Sequence, residues 1–199
     1  MRVERTFRPE NLGYYMRIIG GKYRSRVLAE FEGESVRPTS DRVKESLFNI
    51  LSFKIIGARV LDLFSGSGAL GLESLSRGAK EVVFNDCAKA NVAILKKNLA
   101  TLKVSVGEEA KIFNYDYLAC LEQVRGQFDL IFIDPPYRFD YGAKALACIA
   151  RKGLLSENGI AVYERDKPFK EEVDGLEKYD ERKYGKTYLT FFRRAGQES

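Results

Sequence analysis

The sequence predicts a doubly wound α/β fold, in which helices cover both faces of a mostly parallel sheet. Between residues 59 and 165, short apolar runs alternate with segments of helical periodicity, which is typical of strands joined by helical crossovers. After residue 165 this alternation stops, and two strand-like runs follow one another around Gly185. The sheet is therefore expected to end in an antiparallel hairpin.

The composition is that of an ordinary globular protein, 45% hydrophobic and 31% charged over 199 residues. That length suggests one main domain with room for a small appendage. The sequence holds no apolar run of the ~18 residues that a membrane helix needs, and its polar N-terminus does not resemble a secretion signal. We expect a cytoplasmic protein that does not contact a membrane.

The N-terminal part of the chain is predicted to form an appendage. Residues 1–15 show no periodicity and are expected to be a flexible extension. Residues 16–36 predict a basic β-hairpin that turns at Gly20-Gly21. Residues 37–199 are expected to form the main domain, which begins with a helix capped by Thr39, Ser40 or Asp41 and ending near Ser52.

The remaining elements follow from hydrophobic periodicity and from the turn residues between the runs. Runs with strand character stop at polar or glycine residues, and the helical segments carry an apolar face. In chain order we predict a strand at 59–63, a helix at 69–77, a strand at 81–86, a helix at 89–101, a strand at 111–114, a helix at 117–123, a strand at 128–133, a helix at 141–152, a strand at 159–165, and a hairpin of 178–184 with 186–193.

The chain contains no histidine, which excludes several classes of chemistry. Neither a Ser-His-Asp relay nor a histidine-ligated metal site can be built. The three cysteines, Cys87, Cys120 and Cys148, form no CxxC pair and are expected to be free thiols. We therefore expect neither a metal nor a disulfide framework.

The positive charge is concentrated in the N-terminal third. Residues 1–60 hold 12 Lys/Arg and 7 Asp/Glu, a net charge of +5, whereas residues 61–199 hold 21 of each and are neutral. Four bases and no acid occur between Met16 and Ala29. This pattern indicates an appendage that binds a polyanion such as nucleic acid, the alternative being an ordinary solvated hairpin.

A glycine-rich turn follows the first predicted strand of the main domain. The segment 62–71, Asp-Leu-Phe-Ser-Gly-Ser-Gly-Ala-Leu-Gly, satisfies a GxGxxG pattern and predicts a site for a nucleotide-like ligand. A carboxylate at Asp62 would repel a pyrophosphate, but it suits a cation such as the sulfonium and ammonium of S-adenosylmethionine. A nicotinamide-dependent dehydrogenase and a purely structural turn are the alternatives.

Two further acids follow the next two predicted strands. Asp86 lies where a carboxylate can accept from ribose hydroxyls, and Asp116 could accept from an adenine amino group. Each alone is a common strand-end residue. Because ligands of open α/β sheets bind at the carboxyl edge, the three acids together predict a nucleoside site there.

The segment Asp134-Pro135-Pro136-Tyr137 follows the most hydrophobic strand. Proline lacks the N–H that a strand ladder needs, so the strand must stop at Asp134. A stiff loop then holds the Asp134 carboxylate and the Pro135 carbonyl as fixed acceptors for the two hydrogens of an exocyclic amino group. Tyr137 offers a flat face on which an extruded base could stack.

This segment resembles the [DN]PP[YFW] motif of methyltransferases that act on amino groups of bases. Together with the segments 17–21 (Arg-Ile-Ile-Gly-Gly), 37–45 (Arg-Pro-Thr-Ser-Asp-Arg-Val-Lys-Glu) and 62–71, it makes the chain similar to the bacterial RsmD family from Met16 onward. The family often carries two acids where this chain has Asn85-Asp86-Cys87-Ala88. Only Asp86 remains there for the ribose.

The resemblance implies a Rossmann-like class I methyltransferase that uses S-adenosylmethionine, releases S-adenosylhomocysteine, needs no metal and methylates guanine N2 of 16S rRNA. It implies a partner in the assembling small ribosomal subunit, and we expect a monomer. The candidate residues are Asp134, Pro135 and Tyr137 for catalysis; Asp62, Phe64, Gly66, Gly68, Asp86, Asp116 and Tyr117 for the cofactor; and Arg17, Lys22, Arg24, Arg26, Arg37, Thr39 and Arg42 for RNA.

Two other functions remain open at this point. A DNA or RNA adenine-N6 or cytosine-N4 methyltransferase fits the same motifs, although the chain leaves no room for a separate target-recognition domain. A non-catalytic RNA-binding module is the other possibility, and the intact motif residues argue against it.

Overall fold

The computed structural model describes residues 16–30, 41–136 and 141–196. The strands are β1 (Arg59–Asp62), β2 (Glu81–Asn85), β3 (Ala110–Phe113), β4 (Phe128–Ile133), β5 (Leu155–Arg165), β6 (Leu176–Tyr184) and β7 (Thr187–Arg194). The helices are α1 (Asp41–Ile50), α2 (Ser52–Ile55), α3 (Ala69–Ser76), α4 (Lys89–Leu102), α5 (Tyr117–Gln123) and α6 (Tyr141–Lys152), with a short 3₁₀ helix, η1 (Gly21–Tyr23).

These strands form one seven-stranded sheet in the order β3-β2-β1-β4-β5-β7-β6. The first five positions of that order pair in parallel, and β7 pairs antiparallel with both β5 and β6. The predicted fold class, a doubly wound parallel sheet that ends in an antiparallel hairpin, is confirmed.

Apolar side chains cover the sheet on both faces, as the near-continuous apolar strands require. One cluster joins Phe48 of α1, Phe84 of β2 and Phe132 of β4, and the other joins Phe128 of β4 and Leu146 of α6. No helix within residues 16–30, 41–136 and 141–196 is long and apolar enough to cross a membrane.

The N-terminal segment pairs with itself in an antiparallel way over a short length. In its described part, residues 16–30, Arg17 and Val27 form an antiparallel bridge, flanked by hydrogen bonds from Ile18 N–H to the Arg26 carbonyl and from Leu28 N–H to the Met16 carbonyl, and η1 lies in the turn. The turn is held by α3, because Glu73 accepts the N–H groups of Ile19 and Gly20.

Two boundaries differ from the predicted ones in an informative way. The first helix is split at Leu51 into α1 and α2, and β5 begins at Leu155 rather than at residue 159. The early start of β5 goes with a register shift against β4 between Phe128 and Leu130. The predicted extension 1–15, residues 31–36 of the predicted hairpin and the caps Thr39 and Ser40 lie outside the described residues.

Candidate active site

The carboxyl ends of β1, β2, β4 and β5 lie side by side at one edge of the sheet. Asp62 pairs in register with Phe132 of β4, and Ile133 pairs with Tyr163 of β5. The residue that ends β1 and the residues that follow β4 and end β5 are therefore close neighbours. This edge is where open α/β sheets bind their ligands.

The glycine loop after β1 is closed by the carboxylate of Asp62. Its Oδ2 accepts the N–H of Gly71, at 2.9 Å, across the first turn of α3. Gly68 has a left-handed backbone at φ 94°, which a glycine adopts without strain. A Cβ at Gly71 would overlap the Phe84 ring, so glycine lets α3 pack directly on β2.

Burial raises the pKa of Asp62 to about 7, and the nearby Asp86 charge adds to the shift, although the Gly71 hydrogen bond opposes it. An anion in this place lacks water and has a single backbone donor. A bound cation would stabilise its charged form, so the site favours a positively charged ligand.

Asp86, just after β2, accepts hydrogen bonds from the backbone of two loops. One carboxylate oxygen accepts the N–H of Gly66 at 2.9 Å, and the other accepts that of Ala88 at 2.8 Å. Each oxygen keeps a further lone pair for a ligand hydroxyl. Its role toward a ribose stays a prediction.

Three aromatic rings form a wall at the same edge. Phe64 and Tyr141 stack with their planes 4° apart at 6.4 Å, and Tyr117 lies 5.4 Å from Phe64 and 5.0 Å from Tyr141. Phe64 and Tyr117 are among the predicted cofactor residues. Tyr141 is not, and only its position at the start of the helix after the Pro-Pro loop could have indicated it.

Asp116 is placed differently from Asp62 and Asp86. It is exposed, and its side chain caps α5 by accepting the N–H of Leu118 at 2.9 Å. Its predicted contact with an adenine amino group stays a prediction, because the capping bond uses only one of the carboxylate's acceptor positions.

The glycine loop after β1 can accommodate a polar group of a ligand. The Ser65 hydroxyl is buried and has no hydrogen-bond partner within the described parts of the chain. A Cβ built on Gly66 meets nothing within 4 Å, so open space adjoins this loop. The residues present therefore fit the polar amino-acid and ribose portions of S-adenosylmethionine.

Asp134 follows β4 directly and is partly exposed, while Pro135 behind it is buried. Although part of the residue is exposed, its carboxyl is largely surrounded by protein, and this loss of water raises the pKa of Asp134 well above its usual range; the charges of Glu164 and Asp62 raise it further. The raised pKa makes the Asp134 carboxylate a stronger base than that of an ordinary aspartate. Tyr137, the fourth residue of the motif, lies outside the described residues.

Glu164 is a second site residue that the sequence did not reveal. It lies near the end of β5 and is 5% exposed. Sequence pattern alone does not distinguish it from other charged strand-end residues, because its place beside Asp134 depends on the pairing of β5 with β4.

Asp62, Asp134 and Glu164 make this edge of the sheet acidic. Such an edge attracts cations and amino groups and repels phosphates, which disfavours a dinucleotide. Within the ranges that the structure describes, no group of three or more potential ligands is arranged to hold a metal ion.

The predicted RNA-binding residues divide into two groups. Arg17 pairs with Asp41 at 2.7 Å and Lys22 with Glu109 at 3.0 Å, so both have partners on the protein. The other described bases are exposed, namely Arg24, Arg26 and Arg42. Arg37 and Thr39 lie outside the described residues.

The sheet order, the glycine loop after β1 and the Asp-Pro-Pro segment after β4 define the class of the protein: it is an α/β methyltransferase. The family model described as Conserved hypothetical protein 95 matches residues 16–193. The chain belongs to this family, the RsmD methyltransferases, as the sequence resemblance indicated.

Relatives match most of the chain. The ribosomal RNA small subunit methyltransferase D of Haemophilus influenzae is 43% identical over 157 residues, covering 77% of this chain and 81% of that protein. The Escherichia coli protein of the same name is 38% identical over 151 residues, covering 76% of this chain and 75% of that protein. The solved structure of yhhF from Escherichia coli superposes with a TM-score of 0.82 at 34% identity, covering 92% of this chain and 99% of that one.

Proposed function

We propose that the protein transfers a methyl group from S-adenosylmethionine to the exocyclic N2 amine of a guanine in 16S rRNA of the small ribosomal subunit. The observation that carries this proposal is the Asp134-Pro135 pair of acceptors, held at the carboxyl edge beside the Asp62 loop. The relatives named for the small-subunit rRNA support the choice of RNA.

The chain's own residues have to make an amino nitrogen nucleophilic. Its lone pair is delocalised into the base, which makes it a poor nucleophile. The Asp134 carboxylate and the Pro135 carbonyl accept its two hydrogens and draw them out of the ring plane, which localises the lone pair. Positioning of this kind supplies on the order of 7–11 kcal/mol of a barrier, so no histidine is needed.

When bound, S-adenosylmethionine would supply a methyl group on a cationic sulfur, which would keep the bonding electrons and become a neutral thioether. The nitrogen that gains the methyl group becomes cationic and must lose a proton. Asp134 is in place to accept that proton and to pass it to solvent, because its raised pKa makes its carboxylate a stronger base. Asp62 would supply a negative charge to balance the cationic donor.

We expect Asp134→Ala to lower the rate of methyl transfer at least a hundredfold, because it removes one of the two groups that accept hydrogen bonds from the reacting amino nitrogen. The variant should still bind S-adenosylmethionine in a calorimetric titration. The matched control is Asp174→Ala, which changes an exposed aspartate before β6 and should leave the rate unchanged. Retention of the rate within about tenfold in Asp134→Ala would contradict the proposed role.

The substrate itself is identified by tritium transfer. Methyl-labelled S-adenosylmethionine is incubated with small ribosomal subunits that lack the modification, with naked 16S rRNA and with DNA, followed by nucleoside analysis. Label in N2-methylguanosine supports the proposal. Label in methylated adenine or cytosine would support a methyltransferase that acts on a different base. If no substrate is labelled, the result contradicts a catalytic function.

A further inference from the structure

Glu164 lies beside Asp134 at the carboxyl edge of the sheet. Strands β4 and β5 pair in parallel with Ile133 opposite Tyr163, so the next residues along, Asp134 and Glu164, are also neighbours. Adjacent strands lie about 4.8 Å apart. The two acidic residues are thus at the same level, one strand apart.

Both side chains belong to the same face of the sheet. Phe132 and Val162, two residues before Asp134 and Glu164, are members of one apolar cluster on the α1 side. Because strand side chains alternate between faces, Asp134 and Glu164 extend from that same face. The charge of Glu164 also contributes to the raised pKa of Asp134, which agrees with their proximity.

A second carboxylate next to the amino-group acceptors matters for the identity of the base. Guanine carries two adjacent donors on its Watson–Crick edge, the N2 amine and the N1–H. Adenine and cytosine carry an amine next to an unprotonated ring nitrogen, which is an acceptor. A carboxylate opposite that ring nitrogen would be repelled and left without a hydrogen bond.

We propose that Glu164 is a specificity residue: it accepts the N1–H of the target guanine while Asp134 and the Pro135 carbonyl hold the N2 amine. This inference rests on the proposed function, and it explains why an Asp-Pro-Pro-Tyr segment compatible with three bases would here select guanine. Glu164 is 5% exposed, so a base reaching it is largely removed from water, where a mismatched pair is most costly.

The test changes the partner on each side of the proposed hydrogen bond. The substrate is an rRNA fragment or reconstituted subunit that carries either guanine or 2-aminopurine at the modified position. 2-Aminopurine keeps the N2 amine, but it lacks the O6 carbonyl and its N1 is an acceptor. The enzyme variant is Glu164→Gln, whose amide can donate to such an acceptor. Because the loss of O6 is the same for both enzymes, comparing their preferences isolates the contact to N1. Rates of methyl transfer are measured for all four combinations, and the binding of the 2-aminopurine RNA is followed by its fluorescence.

The unmodified enzyme should prefer guanine over 2-aminopurine by about tenfold or more. Glu164→Gln should lower the rate of methyl transfer to guanine at least tenfold and bring the rates on the two substrates within about threefold of each other. It should also bind the 2-aminopurine RNA more tightly. Glu172→Gln, at an exposed glutamate outside the site, is the matched control and should keep the original preference.

An equal loss of rate on both substrates, or no loss of rate on guanine, would overturn the specificity role of Glu164. Equal thermal unfolding and equal S-adenosylmethionine binding of the variant and the unmodified enzyme separate this result from a folding defect. Failure of the proposed function is distinct, because the unmodified enzyme would then place no label in N2-methylguanosine at all.

Discussion

At the scale of single residues, the protein buries several carboxylates, and each is stabilised by a different set of hydrogen bonds and charges. Asp62 has one backbone donor, from Gly71, whereas Glu73 accepts two backbone N–H groups and also contacts Arg77 and Lys44. The poorly compensated residue lies at the site and the well compensated one lies in the core. Function therefore accounts for the energetic cost at Asp62 better than stability does.

Asp62→Asn should stabilise the ligand-free protein at pH 8 and have a much smaller effect at pH 5. The pKa of Asp62 is raised to about 7 in the folded state, so between its ordinary value and 7 the folded protein binds more protons than the unfolded chain. The free energy of unfolding then falls as pH rises through this range, by at most about 4 kcal/mol. Asparagine keeps an acceptor for Gly71 and carries no charge. Urea denaturation at the two pH values measures the difference.

The same variant should bind S-adenosylmethionine more weakly, since the negative charge that faces the cation is gone. Asp174→Asn is the matched control, because it makes the same change at an exposed aspartate outside the site. A gain in stability of equal size at pH 5 and pH 8 would show that the change acts through packing rather than through the charge of Asp62.

At the scale of secondary structure, α3 organises both the glycine loop and the N-terminal segment. The N-terminus of α3 faces Asp62, and its middle carries Glu73, which holds the backbone of Ile19 and Gly20. Lys44 of α1 lies 3.8 Å from Glu73 and donates to the Arg17 carbonyl at 2.6 Å. One buried ion pair thereby fixes residues 16–30 against two helices.

Glu73→Gln should release the N-terminal segment and lower the free energy of unfolding by about 3–5 kcal/mol, because it leaves Lys44 buried without its counter-charge. Trypsin should then cleave after Lys22, Arg24 or Arg26 at least ten times faster, as read by mass spectrometry. Glu109→Gln is the control, since it removes the charge of the pair with Lys22, worth at most about 1 kcal/mol, while glutamine keeps an acceptor for the Ser105 N–H. Equal cleavage of the two variants would contradict the anchoring role of Glu73.

The sequence predicts these elements well wherever local pattern decides the structure. The bounds of α5, β4 and α6 match the periodicity residue for residue, and the glycine loop follows its strand as expected. Contacts distant in sequence set the rest. The wider turn of the N-terminal segment is one example, because Glu73, 54 positions from Ile19, accepts the N–H groups of Ile19 and Gly20. Glu164 was missed because strand order, rather than spacing, brings it to Asp134.

At the scale of the whole molecule, charge is divided between two surfaces with different partners. The acidic edge of the sheet suits a cationic donor and an amino group, whereas the basic N-terminal segment suits a phosphate backbone. Met16 joins the two, because its sulfur accepts the Ser67 hydroxyl of the glycine loop at 3.4 Å. The segment that we expect to hold RNA therefore begins at the loop that we expect to hold the methyl donor.

If Arg24 and Arg26 contact phosphates, the double variant Arg24→Ala, Arg26→Ala should weaken RNA binding for every sequence alike. It should also reduce the slope of log K against log salt by about 1.4–1.8, since each lost contact removes about 0.7–0.9 of slope. Fluorescence anisotropy of a labelled rRNA fragment between ~50 and ~200 mM salt measures both quantities. The control is Arg125→Ala, Arg151→Ala, which removes two exposed charges at the amino edge of the sheet. This control keeps the net charge of the two variants equal. An identical loss of slope in both would mean that RNA responds to the overall charge of the protein, and that the N-terminal segment has no special part in holding it.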